Sequence, residues 1–233
     1  MPRYTVAYNQ YVKRLTEVEI LLRRSRFLER RSPIDSRNEI NANCRAAIVL
    51  LSSHLEGYIK DISEIALDRI FVDQVPRNAL SARFFYSISK DRFDELRNTS
   101  DPSAFGEKVF SFLDADGPFW GQTGPFPNAI PTDRFIKGFA SPSLKKIAKF
   151  FKNFGYDDFK VDVSRALGPD TSAVLNMLEN VVATRNDIAH GDSSVIRTPS
   201  DVLQMVSMLR YFGRVTDDAF ASWCRSNLCS IRR

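Results

Sequence analysis

An arginine and a histidine lie five positions apart in the last quarter of the chain. Arg185 and His190 bracket four residues in the segment RNDIAHG, where Gly191 follows the histidine directly. Histidine can accept or donate a proton near neutral pH, and arginine can stabilise the negative charge that develops on a reacting phosphate. The two residue types therefore suit cleavage of a phosphodiester bond by a neighbouring 2′-hydroxyl group.

Their spacing does not by itself bring the two side chains together. Five positions on a regular α-helix correspond to about 140° of rotation. The side chains converge only if the last turn unwinds, which Gly191 would allow, or if a further molecule contacts both. The partial negative charge at a helix C-terminus favours the imidazolium form of His190. In the purely structural alternative, the arginine pairs with an acidic neighbour and the histidine caps helix carbonyls.

Few other side chains suit chemistry. The chain has two histidines and three cysteines, without a CxxC pair, so we expect no metal, no cofactor and no disulfide framework. His54 and Glu56 are candidates for supporting Arg185. The alternative is a histidine at the edge of the core, hydrogen-bonded to the backbone or to Glu56. Asp187 either tunes His190 or is a surface charge.

Hydrophobic spacing predicts that long helices position these residues. No strand-like alternation persists, and apolar residues recur at helical spacings. The predicted stripes are Val6, Tyr11, Leu15, Val18, Leu22 and Leu28 on the first helix, and Ala47, Leu51, Leu55, Tyr58, Ile62, Ile65 and Ile70 on the second. A third stripe holds Val174, Leu178, Val181, Val182, Arg185 and Ala189, so Arg185 continues an apolar face. Residues 101–142 are rich in glycine and proline, which predicts a loop-rich stretch. Phe119, Trp120 and Phe126 predict that this stretch still packs against the rest of the protein. The helices are predicted at residues 4–31, about 38–71, 78–98 as one or two helices, from Ser141 or Ser143 to Gly155, 171–189 with Asp170 or Thr171 as N-cap, and from Thr198 to about Leu228.

Composition bounds the class of protein. Hydrophobic residues make up 43% of the 233 residues, and eighteen are phenylalanine, which is enough for a sizeable core. We expect an all-α bundle of long helices in one domain, residues 1–233, with a loop-rich helical insertion at about 73–142. The sequence lacks a long apolar run and an apolar leader, so we expect a cytoplasmic protein without a membrane span. The net charge of +5 permits a polyanionic partner without demanding one.

Two segments resemble the HEPN superfamily. RNDIAHG resembles its R-x4-6-H signature, including the polar Asn186 directly after the arginine. AAIVLLSSHLEGYIKDI, residues 46–62, resembles the second core helix of the RiboL-PSP-HEPN and MAE_28990-like branches. The two segments also occur in the order that is usual in these branches.

This resemblance implies an activity and an assembly. Catalytic HEPN proteins are metal-independent endoribonucleases, and they usually dimerise so that two motifs face one cleft. It implies that Arg185, Asn186 and His190 form half of such a site in an RNA-cleaving homodimer of a prokaryotic defence or toxin–antitoxin system, with an antitoxin or defence protein as a further partner. Since 2′-hydroxyl attack needs a base and an acid, a two-fold dimer would supply two histidines. The alternative from another class is a non-catalytic helical module that binds a protein or nucleotide.

Overall fold

The computed structural model describes residues 3–121, 123–192 and 194–232, and within these ranges the chain is helical without any strand. The predicted all-α class is therefore confirmed. The α-helices are α1 (Val6–Arg31), α2 (Arg37–Val72), α3 (Ala82–Arg97), α4 (Pro102–Ala115), α5 (Thr132–Ile136), α6 (Leu144–Phe151), α7 (Phe159–Leu167), α8 (Thr171–Ala189) and α9 (Pro199–Asn227).

The four long helices form a bundle, and the core between them continues into buried residues of α3, α5, α6 and α7. α1 packs along α2, and α8 and α9 pack against each other and against α2. The stripe predicted on α2 is buried except at Ile65, which is half-buried, and the stripe on α1 is buried except at Val6. Each helix thus buries the face that its three- and four-residue spacing predicts.

Two stacked tyrosines show how tightly α1, α2 and α9 pack. The rings of Tyr11 and Tyr58 lie 5.2 Å apart between centroids, and both side chains are fully buried. The Tyr58 hydroxyl donates to the carbonyl oxygen of Gly213 at 3.1 Å. A Cβ atom at position 213 would lie 2.8 Å from Cε1 of Tyr11, so glycine lets α9 approach the ring.

A buried carboxylate ties the two ends of the chain together. Asp217 on α9 is fully buried and accepts hydrogen bonds from the backbone N–H and the hydroxyl of Thr5, the residue that caps α1. Arg232 donates to the same carboxylate at 3.0 Å. Burial raises the pKa of Asp217, although Thr5 and Arg232 oppose this shift by favouring the charged form.

The stretch predicted as loop-rich contains more helix than expected. α4 occupies Pro102–Ala115, where its N-cap Asp101 accepts a hydrogen bond from the backbone N–H of Ala104 at 2.8 Å. Proline suits the first helical position because its missing N–H would have no helical partner there. The prediction of a loop-rich 101–142 is therefore wrong over 102–115, and the long irregular segment lies between α4 and α5.

Aromatic packing attaches this region to the rest of the protein through α3, as predicted. Phe119 and Phe126 are buried. Trp120 is partly buried, and its indole N–H donates to the hydroxyl of Ser89 on α3 at 3.0 Å. The segment from Ser143 to Gly155 differs in detail from its prediction. Ser143 caps α6, the helix ends at Phe151, and α7 is a further helix that the sequence pattern does not predict.

Candidate functional site

The C-terminal half of α8 carries the predicted motif at the edge of the core. Arg185 is half-buried and Ala189 is exposed. Ile188, one turn beyond the arginine, still packs against the core, so Arg185 lies at the edge of the buried face of α8. The buried face before it consists of aliphatic side chains and one threonine, namely Val174, Leu178, Val181, Val182 and Thr184.

The end of α8 is a regular C-terminal cap. The backbone N–H of Gly191 donates to the carbonyl of Ile188 at 3.1 Å, and that of Asp192 donates to the carbonyl of Asp187 at 3.0 Å. Gly191 has a φ of +85°. This is the Schellman arrangement, in which glycine at the first position beyond the helix adopts the left-handed conformation. The helix stays regular through Ala189, so its last turn does not unwind.

Arg185 is held by its neighbour in sequence. Its Nη1 donates to Oδ1 of Asn186 at 3.3 Å, and both side chains are half-buried. His190 is exposed, and its backbone N–H donates to the carbonyl of Asn186 at 2.9 Å. Among the described residues, no hydrogen bond or ion pair joins the side chains of Arg185 and His190. One chain therefore presents them near one helix end without coupling them.

Acidic residues flank the histidine. Asp187 is exposed, and its carbonyl belongs to the cap. The Asp192 carboxylate accepts the hydroxyl and the backbone N–H of Ser194 at 2.7 and 2.8 Å. These bonds lower the pKa of Asp192, and the positive charge of Arg45 on α2 lowers it further. Asp192 is therefore a carboxylate near neutral pH, close to the end of α8.

Arg45 is a basic residue near the motif that no sequence pattern indicates. It is half-buried on α2. Its position follows from the way α2 and α8 pack. Glu56 on α2 accepts the backbone N–H of Ser141, and Glu179 on α8 accepts that of Leu144, so the two glutamates lie close to each other. Arg45, which precedes Glu56 on α2, lies near Asp192, which follows Glu179. The two helices therefore run antiparallel. Sequence alone gives no such register, because helix packing sets it.

Glu56 lies level with the N-terminal half of α8. Its carboxylate accepts from Nζ of Lys60 at 2.7 Å and from the backbone N–H of Ser141 at 3.1 Å. Glu179, which binds the same segment, is six positions before Arg185, a rise of about 9 Å along a helix. The described hydrogen bonds of Glu56 thus fasten α2 to the segment before α6.

His54 faces α1. Its Nε2 lies 3.3 Å from Oε2 of Glu17, and its side chain is 12% exposed. Burial lowers the pKa of His54, while the Glu17 carboxylate opposes that shift. The structure therefore places His54 at the α1–α2 contact, and the supporting role beside Arg185 stays a prediction for both His54 and Glu56.

Metal ligands and membrane spans are the two remaining features that bear on the class of protein. No group of three or more histidine, cysteine, aspartate or glutamate side chains in the described ranges could hold a metal ion. No helix among the same residues is long and apolar enough to cross a bilayer.

An all-helical bundle with an arginine and a histidine at the end of a long core helix is the class of protein that the HEPN resemblance implies. A sequence model described as RiboL-PSP-HEPN matches residues 9–222, and the chain belongs to this family. The matched span extends well beyond the two segments that carry the resemblance. No curated protein and no solved structure matches the chain.

Proposed function

We propose that this protein is a metal-independent endoribonuclease of a prokaryotic defence or toxin–antitoxin system. The chain belongs to the RiboL-PSP-HEPN family. The observation that carries the proposal is that α8 ends with an exposed His190 and a half-buried Arg185 that is hydrogen-bonded to Asn186. An accessible imidazole near a positioned guanidinium can act on a phosphodiester that reaches both.

The proposed reaction is an internal transfer followed by release of one product. An imidazole removes the proton of the 2′-hydroxyl, whose oxygen attacks the adjacent phosphorus. The bond from phosphorus to the 5′-oxygen breaks, and a protonated imidazole gives that oxygen its proton. The products are a 2′,3′-cyclic phosphate and a 5′-hydroxyl. Arg185 stabilises the charge on the phosphoryl oxygens in the transition state, and Asn186 orients the guanidinium.

The reaction needs a base and an acid, while each motif holds one histidine. We therefore propose a two-fold homodimer in which the two α8 ends face one RNA strand. The lack of coupling between Arg185 and His190 within a chain supports this arrangement, because a second motif can complete the site. We further propose that residues 1–233 form one HEPN-like domain, with about 73–142 as its insertion, and that an antitoxin or defence protein is a further partner.

Cleavage of RNA by the pure protein in EDTA tests the proposal. We expect the wild type to cleave and to leave cyclic phosphate ends, and we expect Arg185→Ala and His190→Ala to lose about a hundredfold or more in rate. An RNA with 2′-deoxy sugars should resist cleavage, because it lacks the attacking oxygen. Equal activity of wild type and both variants would exclude this site.

The same uncoupled geometry also favours a second function, a non-catalytic module that binds a protein or nucleotide. In that case the pure wild type would not cleave RNA in EDTA. Arg185→Ala would then weaken binding of the partner, with the melting temperature unchanged.

A further inference from the structure

A basic groove lies between α3, α5 and α6, away from the motif on α8. Its volume is about 690 Å³, and its lining includes the buried rings of Phe135, Phe139 and Phe150 and the half-buried ring of Tyr86. Seven cationic side chains line it, namely Arg83, Lys90, Arg134, Lys137, Lys146, Lys149 and Lys152.

Only part of this charge is neutralised within the protein. Asp91 pairs with Lys137, Asp116 pairs with Arg134, and Asp157 lies within 4.0 Å of both Lys152 and Arg83. Among the described residues, Lys90, Lys146 and Lys149 form no ion pair. All three are exposed. The groove therefore keeps an excess of positive charge that an anionic ligand can neutralise.

The cations form rows rather than a single cluster. On α3, Arg83 and Lys90 are seven positions apart, which places them on one face about 10 Å apart along the axis. On the other wall, Lys146, Lys149 and Lys152 recur every three positions along and just beyond α6. The three flexible ammonium groups along α6 suit a chain of phosphates better than a single phosphate group, which arginine forks and backbone N–H groups bind more specifically.

We infer that this groove binds the sugar–phosphate backbone of single-stranded RNA. This inference rests on the proposed function, because it assigns the surface that holds the RNA substrate outside the reacting centre. A positively charged groove with an accessible aromatic ring is the usual way in which proteins follow a single strand without reading its sequence, and the half-buried Tyr86 is that ring here. Leu144, at the start of α6, donates its backbone N–H to Glu179, so the groove wall is joined directly to α8.

Binding of a non-cleavable RNA tests the inference without depending on catalysis. The probe is a fluorescent single-stranded 2′-O-methyl RNA, and its affinity is measured by anisotropy over a series of salt concentrations. We expect the triple variant Lys90→Gln, Lys146→Gln and Lys149→Gln to bind about tenfold or more weakly, and to reduce the slope of log K against log salt by about two. The corresponding triple arginine variant should keep the affinity.

A matched triple variant controls for the loss of charge. Lys13→Gln, Lys145→Gln and Lys160→Gln remove three exposed lysines that do not line the groove. This variant should bind within about twofold of wild type. Equal affinity of the groove variant and wild type, or equal weakening by both triple variants, would overturn the inference, as would binding of anionic lipid vesicles in place of RNA. Groove-dependent binding without cleavage by wild type would support the groove and refute the proposed ribonuclease.

Discussion

The guanidinium of Arg185 is hydrogen-bonded to the side chain of Asn186, the next residue in the chain, at 3.3 Å from Nη1 to Oδ1. Consecutive side chains on a helix point about 100° apart, so this contact directs the long arginine side chain around the helix. Asn186 also provides the carbonyl that accepts the backbone N–H of His190. One residue thus contacts both members of the pair.

Replacing Asn186 by alanine should lower the rate of RNA cleavage about tenfold, because Arg185 loses the group that orients it. The carbonyl that binds His190 is retained, so the melting temperature should stay close to that of wild type. Single-turnover cleavage measures the effect. Asn180→Ala is the control on the same helix, since Asn180 accepts the Thr184 hydroxyl at 3.2 Å. A similar loss in both variants would contradict a positioning role.

Replacing Gly191 by alanine should destabilise the protein by about 1 kcal/mol, because a residue with a Cβ atom resists the left-handed conformation. An added Cβ meets no atom within 4 Å, so the cost lies in the backbone. Asparagine should cost less. Urea unfolding measures the change. Gly106→Ala, inside α4 and equally free of contacts, should instead stabilise the protein by about 0.5 kcal/mol. A neutral Gly191→Ala would contradict the argument.

Much of the fold can be predicted because the long helices carry strong local signals. α2 and α8 show apolar stripes, and α9 begins with Thr198 and Pro199, whose cap the structure confirms as a capping box with Asp201. α4 is not predicted, because Pro102 and Gly106 resemble helix breakers. Proline at the first position of a helix is instead a start signal, and one glycine within a helix is tolerated.

The candidate site is less predictable, because it depends on contacts between helices. The sequence predicts that Arg185 continues an apolar stripe, and the structure shows it half-buried at the edge of the buried face of α8. The sequence cannot place Arg45 near Asp192, since their proximity requires the antiparallel register of α2 and α8. The basic groove likewise combines lysines from α3 and α6, which are far apart in the chain.

The stability of the protein should depend on pH through His54. Burial lowers the pKa of His54 in the folded chain below its ordinary value of 6.5. As the pH falls below 6.5, the unfolded chain takes up a proton at this histidine before the folded chain does, so the free energy of unfolding decreases. Well above pH 6.5, the imidazole is neutral in both the folded and the unfolded chain. His54 then no longer lowers the free energy of unfolding.

The variant His54→Gln isolates this effect. The free energy of unfolding of wild type minus that of the variant should decrease as the pH is lowered from about 7 to about 5.5. Urea unfolding at each pH measures the difference. Because His54 and Glu17 are 3.3 Å apart, Glu17→Gln should enlarge the decrease, since it removes the charge that opposes the shift. A difference that does not change with pH would contradict the prediction.

Mixing wild type with an inactive variant should lower cleavage if two chains share one site. A mixed dimer of wild type and His190→Ala holds a single motif imidazole, so it lacks either the base or the acid that the proposed reaction needs. The activity per wild-type chain should therefore fall to about half when equal amounts exchange freely, because about half of the wild-type chains then lie in mixed dimers.

The dependence on concentration separates a shared site from a site within one chain. Wild-type activity per chain should fall on dilution below the dissociation constant of the dimer, measured by sedimentation under the same conditions. Mixing wild type with Lys13→Gln, which retains His190 and Arg185, is the control and should leave the activity per chain unchanged. Activity per chain that is independent of dilution through the monomer range would refute the composite site. It would leave His190 and Arg185 of one chain as the reacting pair, which the geometry of α8 permits only if the RNA itself bridges them.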